Sequence, residues 1–113
     1  MSDASSEPAY HLFLDRAEVP PAASALRLLI AGEAREQEIR RLAREVLAQL
    51  EGEPDERGLL TLTLAPQQMK ITYSAVRLLL NDLGREQAAE RELLRTILGK
   101  LPDEHTMRAI ELS

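Results

Sequence analysis

The chain has 113 residues, with 14 Lys+Arg against 19 Asp+Glu (formal charge −5), 44% hydrophobic residues and no cysteine. That length suits a single domain, 1–113, with enough core to fold without a disulfide or a structural zinc. The absence of cysteine excludes thiol catalysis and cysteine-ligated metal, the acidic balance opposes a phosphate backbone as ligand, and no apolar run approaches the roughly 18 residues of a membrane span.

Residues 1–8, MSDASSEP, have neither the basic start nor the apolar run of a secretory signal, and are expected to be a flexible tail on a cytoplasmic protein. Alternation begins at Tyr10, with Leu12 and Leu14 on the same strand face as Tyr10 and His11 and Phe13 on the other. Asp15 and Glu18 have the spacing of a capping box. A helix starting near Pro20 keeps Pro20 and Pro21 in its first turn, where no N–H is needed, and Gly32 is its expected end. The next helix is the most regular part, with Ile39, Leu42, Ala43, Val46, Leu47 and Leu50 on one stripe. Gly52 to Gly58 reads as a turn, and Leu60, Leu62 and Leu64 alternate with Thr61 and Thr63 in a second strand. Pro66 opens a helix carrying Met69, Tyr73, Val76, Leu79 and Leu80 that runs toward Gly84. A further helix carries Ala89, Leu93, Leu94, Ile97, Leu98 and Leu101 on its apolar stripe and stops at Pro102. Ile110 and Leu112 flank Glu111 as a third strand.

Shifting the chain by fifty residues places Leu12, Leu14, Ser24, Ala25, Arg27, Leu28 and Leu29 on Leu62, Leu64, Ser74, Ala75, Arg77, Leu78 and Leu79, and Arg35-Glu36-Gln37 on Arg85-Glu86-Gln87. Helix amphipathicity requires neither the Ser nor the Gln, so the expectation is duplication, with repeats at about 10–53 and 60–104. The expected fold is α+β: two tandem strand-helix-helix repeats plus a C-terminal strand, with four helices on one face of a small antiparallel three-stranded sheet.

No G-x-G-x-x-G, P-loop, H-E-x-x-H or EF-hand signature occurs, and the five glycines never cluster. No cofactor and no metal are therefore expected. His11 and His105 are the only histidines, and with Asp103 and Glu104 they meet only if the first and last strands are neighbours. Arg27 and Arg77 recur in both repeats and suit either a structural pair with Glu or an anion. Helix initiation explains Glu36 and Glu86 but not Gln37 and Gln87, which are candidate partner contacts.

With no convergent acid, base or nucleophile, the functional expectation is a cytoplasmic, non-catalytic protein-interaction or regulatory module. Its expected partner is a protein, with a homodimer formed through the open sheet. The alternative is a small-molecule or anion-binding protein, possibly enzymatic, using Arg27, Arg77, His11 and His105. A DNA-binding regulator is the second alternative, opposed by the Glu86, Glu90 and Glu92 that offset Arg85, Arg91 and Arg95.

Overall fold

The computed structural model describes residues 9–32, 36–102 and 104–110. The expected tail at 1–8 lies outside them, as do Arg35, Asp103, Glu111 and Leu112.

Strands β1 (Tyr10–Leu14) and β2 (Leu60–Leu64) pair antiparallel, with Leu12 opposite Leu62 and His11 opposite Thr63. Period-2 alternation puts Leu12, Leu14, Leu60, Leu62 and Leu64 on one face, all buried, and leaves His11, Phe13, Thr61 and Thr63 exposed on the other. Burying each leucine stabilises the fold by about 1.5–3 kcal/mol relative to leaving it in water.

Helices α1 (Val19–Gly32) and α3 (Pro66–Asp82) lie against each other. Ala22, Ala23, Ala25 and Ala75 are buried, and their small side chains let two helices approach closely. Helix α2 (Gln37–Leu50) packs on α1 and α3 through Leu42, Ala43, Val46 and Leu50. Arg85–Gln87 forms a 3-10 turn leading into α4 (Ala88–Gly99), which buries Leu94 and Ile97. Ala89, expected in that stripe, is exposed.

The start of α1 reconciles the capping box with the prolines. Asp15 Oδ1 accepts the N–H groups of Ala17 and Glu18, Glu18 Oε1 accepts the Asp15 N–H, and the helix begins at Val19, so both prolines fall in its first turn. Gly84 follows α3 at φ −91°, in extended backbone rather than a left-handed cap, and its N–H is taken by Gln87 Oε1 at 3.0 Å.

Two expectations are corrected. Among the described residues the sheet has two strands, not three. The chain after Pro102 forms a short helix α5 (Glu104–Arg108), and the Ile110 N–H bonds to the Met107 carbonyl in a continuing turn. Three alternating residues are too weak a signal to hold a strand when a single turn buries Met107, 3% exposed, in the core. Nor is the molecule two tandem copies on a shared sheet. The successive strands pair with each other, α1 packs on α3, and both α2 and α4 reach across, so neither half closes its own core. Among the described residues the halves also differ in detail: α1 has 14 residues and α3 has 17, and α5 is added at the end. Among the described residues the fold is a mostly helical α+β domain with five α-helices around a two-stranded sheet.

Candidate interaction groove

On α3 the buried set Met69, Ile71, Thr72, Ala75, Val76 and Leu79 faces the core, and Lys70, Ser74, Arg77 and Asn81 recur at spacings of four, three and four on the opposite stripe. Thr72 is nearly fully buried and its hydroxyl bonds the Gln68 carbonyl at 2.9 Å, so it adds no unsatisfied group. Met107 anchors α5 on the core and leaves Arg108 exposed beside it. Lys70 Nζ donates to the Ile110 carbonyl at 2.6 Å and so ties α3 to the chain following α5.

Between α3 and α5 lies a groove of about 380 Å³. Its floor is Leu78 and Met107, its cationic rim is Lys70, Arg77 and Arg108, and Tyr73, Ser74 and Asn81 complete the wall. The Arg77 guanidinium sits 5.9 Å from the Tyr73 ring centroid, a cation–π contact that restrains one of the two arginines in the groove. No carboxylate is among the described residues that line it. The arrangement suits an acidic segment carrying an apolar residue: cations attract the carboxylates and the floor takes the aliphatic carbon.

A second hollow, of about 650 Å³, lies along α2 and includes Gln37, Arg40, Arg44 and Ala48. Three of its charged side chains, Glu38, Arg41 and Glu45, are engaged with one another. Arg41 bridges Glu38 and Glu45, its Nη1 lying 2.6 Å from Glu45. The hydrogen bond from Arg41 holds the Glu38 carboxyl below the usual glutamate range, and the same contact raises Arg41. These are exposed intrahelical pairs of the kind that decorate a solvated helix face.

The six residues singled out in the sequence do not form one site. Arg77 is in the groove, whereas Arg27 is exposed on α1 and is not among the groove's lining residues. Gln37 is exposed at the start of α2, and Gln87 is spent on the Gly84 N–H as a local cap. His11 lies on the open sheet face with Nδ1 3.4 Å from Thr63 Oγ1, and His105 is exposed on α5. Ser24 and Ser74, matched in the fifty-residue pattern, are both exposed. Sequence reasoning missed Lys70, Tyr73, Met107 and Arg108. Lys70 carried a signal, being two helical turns before Arg77 on the same stripe; Met107 and Arg108 carried none, because only the folding back of α5 brings them to α3.

The sheet edges are engaged at defined points. Thr63 on β2 donates its N–H to Gln49 Oε1 at 2.7 Å, and its carbonyl accepts from Gln49 Nε2 at 2.9 Å, so the side-chain amide takes the place of a neighbouring strand. On β1 the Phe13 carbonyl accepts from Lys100 Nζ at 2.8 Å, and the Tyr10 hydroxyl donates to the Lys100 carbonyl. An incoming strand would have to displace these contacts.

Among the described residues no three His, Asp or Glu side chains come together as a metal-ligand set, and no helix is long and apolar enough to cross a membrane. No protein-family model matches the chain, and no match is found among curated proteins or solved structures.

Proposed function

We propose that this protein is a cytoplasmic, non-catalytic protein-interaction module that holds an acidic, partly apolar segment of a protein partner in the α3–α5 groove, and that its partners include a second copy of itself. The observation that carries this reading is the concentration of Lys70, Arg77 and Arg108 around Leu78 and Met107 in a chain whose formal charge is −5. Lys70 donates to the Ile110 carbonyl, and Arg77 and Arg108 also hold interactions within the chain, so an acidic partner adds to these contacts rather than meeting free charges.

The test is fluorescence anisotropy with a labelled peptide of alternating Glu and Leu, using the double variant Lys70→Glu, Arg77→Glu as control. Binding that weakens about tenfold or more in the variant, and weakens with added salt, is expected. Absence of binding, or binding indifferent to the charge reversal, overturns the reading. The same cations also suit a small anion. Displacement of the peptide by sulfate at comparable affinity would favour the anion-binding reading, because a small anion gains nothing from Leu78 and Met107.

A further inference from the structure

We propose that the cleft between the β1–α1 turn and the 51–58 loop binds a free aliphatic α-amino acid of the leucine type, at a site separate from the α3–α5 groove. The inner part of the cleft is a hollow of about 200 Å³ whose apolar wall is Leu14, Val19, Pro20, Leu50, Pro54 and Leu60. It is smaller than the roughly 300–1,000 Å³ of sites for drug-sized ligands, so it suits one side chain rather than a nucleotide. Among the described residues no aromatic ring lines it, and an aromatic ligand would find no stacking partner there. The outer part is a wider hollow of about 440 Å³ that shares Asp15, Arg16 and Gly58 with the inner one and adds Asp55, Glu56 and Arg57.

The loop side of the cleft has a definite shape. The Asp55 N–H bonds the Leu59 carbonyl at 2.8 Å, the Gly58 N–H bonds the Asp55 carbonyl at 2.9 Å, and Asp55 Oδ1 accepts the N–H groups of Arg57 and Leu59. Gly58 takes φ +84°, a conformation glycine adopts without strain, and Pro54 removes further freedom. A wall already ordered loses little entropy when a ligand arrives.

Three of the five charges at the mouth are used within the chain. Asp15 Oδ1 takes the Ala17 and Glu18 N–H groups, and hydrogen bonds from the Leu59 and Arg57 backbone hold the Asp55 carboxyl below the usual aspartate range. Arg57 Nη2 lies 3.8 Å from Asp55 Oδ2. Arg16 and Glu56 are exposed, and neither has an ion pair or side-chain hydrogen bond among the described residues. The mouth thus offers one uncommitted cation and one uncommitted anion beside an apolar hollow. A zwitterion answers both, its carboxylate to the Arg16 guanidinium and its ammonium to Glu56, while its side chain displaces water from the leucine and proline wall. A simple carboxylate would meet three acids against two arginines, and a simple amine would leave Arg16 unanswered.

The test is a titration of the full chain with leucine, followed by amide chemical shifts. Leucine at millimolar concentration is expected to shift the amides of residues 14–20 and 50–60. Glycine, which lacks the side chain, is expected to bind at least about tenfold more weakly. Isocaproate and isoamylamine keep the side chain but lose the ammonium or the carboxylate, and each is expected to bind about fivefold or more weakly, as is leucine to Arg16→Gln and to Glu56→Gln. Both substitutions replace exposed side chains, and spectra recorded without leucine establish that the variants remain folded. Absence of shifts, shifts centred outside the cleft, or leucine's affinity matched by either analogue or kept by either variant overturns the assignment. Among the described residues the α3–α5 groove shares no lining residue with the cleft, so the result with the Glu/Leu peptide stands or falls independently.

Discussion

At the start of α1 the Glu18 carboxylate takes the Asp15 N–H at 2.9 Å, and at the start of α3 the Gln68 amide oxygen takes the Ala65 N–H at the same distance. Each of these side chains then reaches a helix of the other half. Glu18, only 2% exposed, pairs with Lys100 Nζ at 2.6 Å just beyond α4, and half-buried Gln68 donates Nε2 to Glu45 Oε1 on α2 at 2.9 Å. The geometry is shared and the chemistry inverted: a buried acid with a basic partner in one, a neutral amide with an acidic partner in the other. Energetically the two are unequal. Removing the partner of a buried charge strands that charge, whereas a half-exposed amide that loses its acceptor turns to water. Helix α4 is thus fastened to β1 and α1 by an interaction the fold depends on, and α2 is fastened to α3 by one it tolerates losing.

The largest expected effect follows from that asymmetry. Lys100→Met leaves Glu18 unpaired and the Phe13 carbonyl without its donor, and is expected to cost about 2–3 kcal/mol, Lys100 being partly solvated. Glu45→Ala is expected to cost about 0.5 kcal/mol. Urea denaturation of both variants checks the ratio; equal losses would break the comparison. Adding Glu18→Gln to Lys100→Met copies the neutral chemistry of α3 and is expected to recover part of the loss, a coupling read from the double-mutant cycle.

A smaller effect concerns the way each half ties its second helix to a strand edge. Gln49→Ala removes both bonds to Thr63 and is expected to destabilise by about 1 kcal/mol, with faster hydrogen exchange confined to the outer edge of β2. Exchange that instead accelerates throughout the sheet would mean that the two edges are not independently held.

The smallest is a pH effect at the loop joining the halves. Asp55 has a lowered folded value, so its contribution is complete above the unfolded aspartate range and disappears as pH falls through the folded value. The stability difference between the wild type and Asp55→Ala should therefore be constant at neutral pH and vanish on acidification below the usual aspartate range. A difference that persists in strong acid would assign the loop's order to Pro54 and Gly58 alone.

Both strands, the four long helices and the core leucines were legible because their periods, two and 3.6, are written in consecutive residues. The third strand was misread where the pattern shrank to Ile110, Glu111 and Leu112. The paired fifty-residue pattern described local elements correctly in outline but not their assembly. Of the candidate site, Arg77 was visible by recurrence, yet Gln87, equally recurrent, proved to cap its own turn.

What the sequence alone determined is the placement of the main apolar faces and the chemistry that starts α1 and α3, since both depend on neighbours within about four positions along the chain. The tertiary structure decided that β1 pairs with β2, that Lys100 meets Glu18, and that Arg108 joins Lys70 and Arg77. Those contacts span tens of residues, and they form only because burying leucine and alanine faces on one shared core leaves the chain that arrangement.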